Sequence, residues 1–386
     1  MKFNTYLFVL ITLIVFSHSH LAHADDACLL TPVPSELLAN VIDTDEQYLY
    51  RGHESSLYIQ DALTLEVVGL IEFGFHISRI HVAGDRAYLI VGIQLVVLDI
   101  SDPTAMSVLG EFGTFLGPLI ETIGTQVLIS RGGFVQVLDA ADPSAISVIG
   151  EIELPSEPFI WELVGTTLYV MDRIEIMYVI DVSDPVHPVN RQKFILDRIE
   201  YRWPVALEEM NGTLAIGFAD SDNIGYMILD ISRPFVPTVI QQDILDVAIV
   251  KIGSREQLAV VYTSNDLVYF ADVSDPENPV VLHTLDSSEW RPTRHGDDQI
   301  RFSNNRVFIR QTREDALYVL SISGCMGWCN RVDQATPAGV LNFDDVKSFL
   351  DNYTNQSSVA DFAAPFGRLD FFDISAFLSQ FQGGCP

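Results

Sequence analysis

An apolar run ending in a turn of the type Leu-Asp-Ile-Ser-Asp-Pro returns seven times along this chain of 386 residues. The clearest copies are VVLDISDP ending at Pro103, VLDAADP at Pro143, VIDVSDP at Pro185, ILDISRP at Pro234 and FADVSDP at Pro276. Two weaker copies complete the series. YIQDA, with Asp61, precedes a VVG that matches the VLG at 108–110, and VLSISG ends at Gly324. Aligned on the second acidic position, the marks are Asp61, Asp102, Asp142, Asp184, Arg233, Asp275 and Gly324, at intervals of 40 to 49 residues. A period of that length means an array of like supersecondary units, each too small to bury its own apolar face.

Within one unit the pattern is that of short strands. Ile77 to Ala83 alternates towards Gly84-Asp85, Ala87 to Val91 is a buried run stopped by Gly92, Leu95 to Ile100 is a third run and Ser107 to Phe112 a fourth. Four strands per unit, separated by Gly, Asp and Pro turns, define the blade of a β-propeller and not a βαβ unit. The Asp-Pro pair suits the turn after the third strand. Asp accepts backbone N–H bonds and Pro presets φ for the reversal, so the recurring aspartates read as turn formers and not as a row of catalytic groups. The last unit runs from Ser323 straight into Gly324-Cys325 without a fourth strand. An open sheet edge needs cover, and Ala27 to Val33, upstream of the first full strand, is expected to supply it and close the ring.

On these units, VSDPENP at Val273 to Pro279 and VSDPVHP at Val182 to Pro188 above all, the chain resembles the LVIVD repeat family. The resemblance covers about residues 36–324 and implies a β-propeller, mostly found in exported bacterial proteins. It leaves function open, because propellers host binding, scaffolding and catalysis alike.

Export is also written at the start of the chain. Lys2, an apolar stretch from Tyr6 to Phe16 and Ala22-His23-Ala24 before Asp25 have the form of a cleaved signal peptide, residues 1–24. That run is too short to span a bilayer, and no other segment reaches spanning length. The formal net charge of −30 repels phosphate backbones and anionic lipid, so nucleic acid and direct membrane contact are not expected. The four cysteines of an exported chain allow three pairings. Cys28 and Cys325 fall at the seam of the ring, which favours Cys28 with Cys325 and Cys329 with Cys385; the alternative is a local Cys325–Cys329 bridge with Cys28 to Cys385.

Residues 329–385 carry a second repeat of another kind. Asp333-Gln-Ala-Thr-Pro-Ala-Gly339-Val-Leu-Asn342-Phe-Asp-Asp345 returns 28 residues later as Asp361-Phe-Ala-Ala-Pro-Phe-Gly367-Arg-Leu-Asp370-Phe-Phe-Asp373. Each loop is followed by a helical stripe, Val346, Phe349, Leu350 and Tyr353 in the first copy and Ile374, Phe377, Leu378 and Phe381 in the second. The i, i+3, i+4, i+7 spacing gives each helix one apolar face, and the two faces are expected to meet. With LDFFDISAFL at Leu369 to Leu378 and the ending Gly384-Cys385-Pro386, this tail resembles a dockerin of the GC-type.

That resemblance implies an EF-hand-like module over 325–386, with calcium as cofactor and a cohesin-like or cell-surface anchor as protein partner. By position, Asp333, Asn342, Asp345, Asp361, Asp370 and Asp373 match the ligand-bearing places. The loops depart from a full calcium site. Oxygen side chains are wanted at the third and fifth places, where Ala335 and Pro337, or Ala363 and Pro365, stand.

No nucleophile elbow, zincin motif, P-loop or dinucleotide fingerprint occurs. The connections into the first strands carry Phe75-His76, Trp161, Tyr201-Arg202-Trp203 and Trp290-Arg291. Gathered at one mouth of the channel, His76, Trp161, Trp203, Trp290 and Arg291 would form a surface for carbohydrate or peptide, though aromatic residues serve equally well in packing between blades. The reading as a whole is mainly β: a seven-bladed β-propeller over 25–324, then a small two-helix EF-hand-like dockerin module. The expected role is non-catalytic binding or display outside the cell, with a glycoside hydrolase or lyase on the same scaffold as the alternative.

Overall fold

The computed structural model describes residues 31–33, 37–113, 116, 117, 119–172, 176–195, 203–210, 212–219, 224–245, 249–255, 258–263, 267–273, 280–286, 299–303, 306–311, 316–322, 343–354, 360, 371, 374, 375, 377 and 378. The chain divides into two compact units, one containing Pro32–Leu320 and the other Ser321–Pro386.

In the first unit, strands β1 to β28, numbered in chain order, form seven sheets of four. Blades 1 to 6 each use four consecutive antiparallel strands. In blade 2 these are β6 (Ile77–Ala83), β7 (Arg86–Val91), β8 (Gln94–Asp99) and β9 (Ser107–Phe112), within a residue of the four runs read from the sequence. Blade 7 has three strands of its own, β26 (Gln299–Ser303), β27 (Arg306–Gln311) and β28 (Ala316–Ser321); its fourth is β1 (Thr31–Val33), beside β28. The expected closure of the ring by the N-terminal segment is therefore observed.

The inner strands are β2 (Val41–Thr44), β6, β10 (Ile120–Ile123), β14 (Pro158–Val164), β18 (Trp203–Met210), β22 (Ile249–Arg255) and β26. Among neighbours, β2 touches β6, β6 touches β10, β14 touches β18, β18 touches β22 and β22 touches β26, and β2 meets β26 to complete the circle. Blades 3 and 4 meet through a core that includes Leu128, Val137, Trp161 and Val170. Apolar clusters of the same kind lie between blades 1 and 2, 2 and 3, 4 and 5, 5 and 6, and 7 and 1, with Leu89 and Leu98 of blade 2 fully buried beside Tyr50 and Ile59 of blade 1. Each such aliphatic side chain contributes about 1.5–3 kcal/mol by leaving water.

The repeated turn does what its residues suggest. The Asp99 carboxylate accepts from the Ser101 N–H at 2.9 Å and the Ser101 hydroxyl at 2.6 Å; Asp102 accepts from the Thr104 N–H at 2.9 Å and its hydroxyl at 2.6 Å. Asp139 and Asp142 repeat this on Ala141 and Ser144, and Asp181 and Asp184 on Ser183 and Val186. Pro103 and Pro143 each open a short 3₁₀ turn capped by the preceding Asp. These aspartates are turn caps.

The glycine of the VLG element has a role that its pattern alone does not reveal. Gly69, Gly110 and Gly150 lie on outer strands, and a Cβ there would fall 2.0, 1.7 and 2.1 Å from the carbonyl oxygens of Pro103, Pro143 and Pro185. The outer strand of one blade thus receives the Asp-Pro turn of the next. Glycine is needed because backbone approaches backbone. Opposite these glycines the ladder slips by a residue, between Ile59 and Gln60, Val97 and Leu98, and Val137 and Leu138. Such bulges bend the outer strand.

In the second unit, α1 (Phe343–Thr354) is the one continuous helix among the described residues. Phe371, Ile374, Ser375, Phe377 and Leu378 of the second copy are individually helical. Phe349 stacks on Phe377 with centroids 3.9 Å apart and planes at 11°, and Ala360, Val346, Tyr353 and Ile374 pack around them. The two stripes meet as expected, but more narrowly. Leu350 and Leu378, placed on the apolar faces by spacing, are 46% and 44% exposed. One residue is a turn of about 100°, so a core two aromatic rings wide takes in Phe349 and leaves its neighbour outside.

Candidate functional site

Counted from the two-residue turn that joins first and second strands, the third residue of the inner strand is ionisable in six of the seven blades. The cross-strand pairs are Asp43 with Tyr50, His81 with Tyr88 and Glu121 with Leu128 in blades 1 to 3. Glu162 with Tyr169, Glu208 with Ala215 and Arg301 with Phe308 follow in blades 4, 5 and 7. Blade 6 has Gly253 there, paired with Val260. A Cβ at Gly253 would lie 2.6 Å from the Ile300 Cγ2 of the next inner strand. Two residues back, about 6.6 Å along the strands, the fifth position carries Arg79, Lys251 and Gln299 in blades 2, 6 and 7. The pairing runs regularly from the turn to Arg79 and to Lys251, and inner-strand bulges follow just beyond them, before Ile77 and Ile249 are reached.

The charged level is wired between blades. Asp43 Oδ1 accepts from Arg301 Nε at 2.9 Å, and its Oδ2 accepts from the Val82 N–H at 2.7 Å, so one carboxylate ties blade 1 to blades 7 and 2. The Gln299 carbonyl oxygen accepts from the Ile42 N–H at 2.8 Å. Glu208 accepts from the N–H of Ser254 at 2.8 Å and its hydroxyl at 3.0 Å. His81 Nδ1 is 3.6 Å from Glu121 Oε2, and its Nε2 is 2.9 Å from the Thr122 hydroxyl. Glu162 and Lys251 make no hydrogen bond or ion pair among the described residues.

These groups keep some surface towards the channel while protein surrounds them, and their acidities follow. Burial, with the Glu208 and Glu121 carboxylates nearby, pushes Glu162 well above the usual carboxylate range. Burial raises Glu208 against the opposing Ser254 bonds and the Lys251 charge, and raises Glu121 against His81. Burial lowers Lys251, opposed by Glu208. At Arg301 burial works downward, but the charge and hydrogen bond of Asp43 outweigh it and the guanidinium is raised. Among the described residues no three His, Cys, Asp or Glu side chains converge as a metal site.

Two opposite pH dependences follow. Hydrogen bonds from Ser101, Thr104 and Ser144 hold Asp99, Asp102 and Asp142 below their ordinary range. A lowered carboxyl contributes stability above its unfolded pKa and loses it as pH falls through the folded value. Glu162 and Glu208 have the reverse sign. Between the unfolded pKa and the raised folded one the native state holds more protons, so stability falls as pH rises through that window. Thermal stability should peak in mildly acidic solution. Glu162→Gln should raise Tm at pH 8 and leave it nearly unchanged at pH 4.5; melting curves across pH 3–9 that show equal shifts at both would refute this account.

A cavity of about 140 Å3 lies in the channel, walled by the inner strands of blades 2 to 7. Arg79, His81, Glu121, Lys251, Gln299 and Arg301 supply its polar lining, and Leu119, Ile120, Phe159, Ile160 and Pro204 are among its apolar lining. Of the residues expected at the channel mouth, Trp161 borders this cavity but stands within β14, not in a connection, and is only 6% exposed in the core between blades 3 and 4. His76 is exposed just before β6. Trp203 opens β18, its side chain outside the described residues, as are Trp290 and Arg291 altogether. Outside them too lie residues 1–24, Cys28, Cys325, Cys329 and Cys385, and Asp333, Asn342, Asp361, Asp370 and Asp373; Asp345 falls in the first turn of α1, its side chain not described.

The charged level escaped sequence reasoning because alignment on Asp-Pro emphasises the third strand. A signal was present. In His81-Val-Ala-Gly84, Glu121-Thr-Ile-Gly124 and Glu162-Leu-Val-Gly165 an ionisable residue stands three before the turn glycine.

The fold and this channel define a seven-bladed β-propeller built on LVIVD repeats. Residues 76–114 and 163–194, the cores of blades 2 and 4, match the LVIVD repeat family. No curated protein sequence matches the chain. Among solved structures, the chain resembles one in the Mitotic Checkpoint Complex at 10% identity and a TM-score of 0.58, covering 79% of this chain and 94% of that one. It resembles the Cps50 (Swd1) β-propeller domain of Myceliophteria thermophila at 12% identity and a TM-score of 0.55, covering 76% and 98%. The computationally designed Ika8 protein aligns at 10% identity and a TM-score of 0.52, covering 74% and 96%. At such identities these likenesses show the fold alone.

Proposed function

We propose that the protein is an exported propeller used for binding or display, attached to the cell surface or an extracellular assembly through its dockerin-like C-terminal unit. The observation that carries this reading is a duplicated apolar surface in that unit. Phe343 and Leu350 of the first copy are 77% and 46% exposed, and their counterparts 28 residues on, Phe371 and Leu378, are 72% and 44% exposed. Large apolar side chains repeated in register on the outside of a small core are what a docking surface requires. The propeller contributes a rigid scaffold whose recurring aspartates are occupied as turn caps. Calcium in the loops that carry Asp333, Asn342, Asp345, Asp361, Asp370 and Asp373 belongs to the same reading.

The test is capture from surface and secreted fractions of the host with the mature chain 25–386, against a Leu350→Ser/Leu378→Ser variant and in calcium or chelator. Both leucines are partly exposed, so the variant should fold. Capture by wild type and loss in the variant are the expected results, and loss in chelator would assign the loop aspartates to calcium. Equal capture by both proteins would move the binding activity to the propeller.

One observation supports the hydrolase or lyase reading. Glu162, raised by burial and by its neighbours, shares its level with Glu208 and Glu121, which are raised less far, and neighbouring carboxyls whose acidities are pushed apart are what acid–base glycoside hydrolysis uses. Release of sugars from any polysaccharide by wild type and not by Glu162→Gln would establish that reading over display.

A further inference from the structure

We propose that the channel cavity is a binding site for a small organic carboxylate. Cations are scarce in this chain, 22 Lys and Arg against 52 Asp and Glu. Three of them nevertheless converge on one cavity, Arg79 from blade 2, Lys251 from blade 6 and Arg301 from blade 7. Arg301 is held by Asp43. Lys251 has no hydrogen bond or ion pair among the described residues; the Glu208 and Glu162 carboxylates act on it only through space, and enclosing an ammonium in protein without a directly bonded partner costs several kcal/mol. A fold seldom keeps such a group unless something else pairs with it.

The remaining lining says what that partner is. Gln299 uses its carbonyl oxygen on the Ile42 N–H, which leaves its NH₂ as a donor on the cavity wall beside Lys251. Donors without a matching acceptor call for an anionic oxygen. The lining also includes Leu119, Phe159, Ile160 and Pro204, apolar surface that would gain nothing from a bare inorganic ion. A volume of about 140 Å3 is close to the roughly 150 Å3 of a cavity that takes up benzene, so the organic body is small, not a polymer chain. Glu121 in the lining, and Glu162 and Glu208 on the same level of the channel, would repel a dianion more than a monoanion, which disfavours phosphate.

This inference rests on the binding reading of the propeller and is independent of the tail. The probe is 4-fluorobenzoate, followed by fluorine NMR on the mature chain 25–386, with 4-fluorobenzamide as the uncharged control and inorganic phosphate as competitor. Saturable binding of the benzoate, absent for the amide and resistant to phosphate, is expected. Lys251→Met should weaken it tenfold or more, and Lys251→Arg should restore most of it. Lys251→Met should also melt at a higher temperature than wild type, since it removes a buried charge that has no bonded partner among the described residues; a structural lysine would give the opposite shift and so overturn the proposal. Absence of saturable binding for 4-fluorobenzoate, acetate and glucuronate alike would overturn it, as would undiminished binding in Lys251→Met. Neither result bears on capture through the tail, so the two failures are separable.

Discussion

Gly110→Ala should cost the propeller about 3 kcal/mol, seen as a lower urea midpoint with little change of slope. The added methyl would start 1.7 Å from the Pro143 carbonyl oxygen and 2.6 Å from its carbon. No rotamer change relieves a clash between Cβ and backbone, so either the outer strand of blade 2 or the turn of blade 3 must move. Overpacking of this kind costs about 1–3 kcal/mol and sometimes more, and here it strikes a docking point that recurs at Gly69 and Gly150. Gly84→Ala is the control. Gly84 has a φ of +57° with nothing within 4 Å of its would-be Cβ, so the penalty is only that of a left-handed alanine, about 1–2 kcal/mol. Equal losses in the two variants would mean that the glycine of the repeat is conformational and that the blades do not interlock through it.

Asp43→Ala should be destabilising to a similar degree, about 3 kcal/mol, at the low end of what removal of one partner from a buried ion pair costs. Asp43 is 8% exposed, and its two oxygens receive Arg301 from blade 7 and the Val82 N–H from blade 2. Its loss leaves a guanidinium and a backbone donor unpaired at the junction where the ring closes. The low end applies because the Arg301 side chain keeps 37% of its surface and can recruit channel water. In a double-mutant cycle, Asp43→Ala/Arg301→Met should be more stable than Asp43→Ala alone, because the stranded charge is gone. If Arg301→Met adds its full separate cost, the two side chains act independently and Asp43 matters only through Val82. Asp142→Ala, which removes an exposed turn cap, should lower Tm by clearly less than Asp43→Ala.

Much of the architecture was legible because the repeat exposes it. The runs ending at Pro103, Pro143 and Pro185 prescribed blades, and their aspartates cap turns as their chemistry requires. The missing fourth strand at Gly324 pointed back to the N-terminal segment, where β1 lies beside β28. The helical stripes anticipated the Phe349–Phe377 stack. The site was harder to read. Aromatic residues near the first strands drew attention to Trp161, yet in β14 its ring belongs mostly to the core between blades. A tryptophan at a strand start and one in mid-strand differ by three residues in sequence and by an entire environment in space.

The sequence by itself determined the number of blades, the turn that ends each third strand and the presence of a second duplicated unit, because each is a local pattern repeated in one dimension. Tertiary structure alone decided that Arg79, Lys251 and Arg301, up to 222 residues apart in the chain, line one cavity, and that the glycine of one blade holds the proline carbonyl of the next. Those facts depend on ring closure and on the inner-strand register, which runs unbroken from each turn to Arg79 and Lys251. A one-residue slip reverses which face a side chain takes, and no local pattern records where the slips occur.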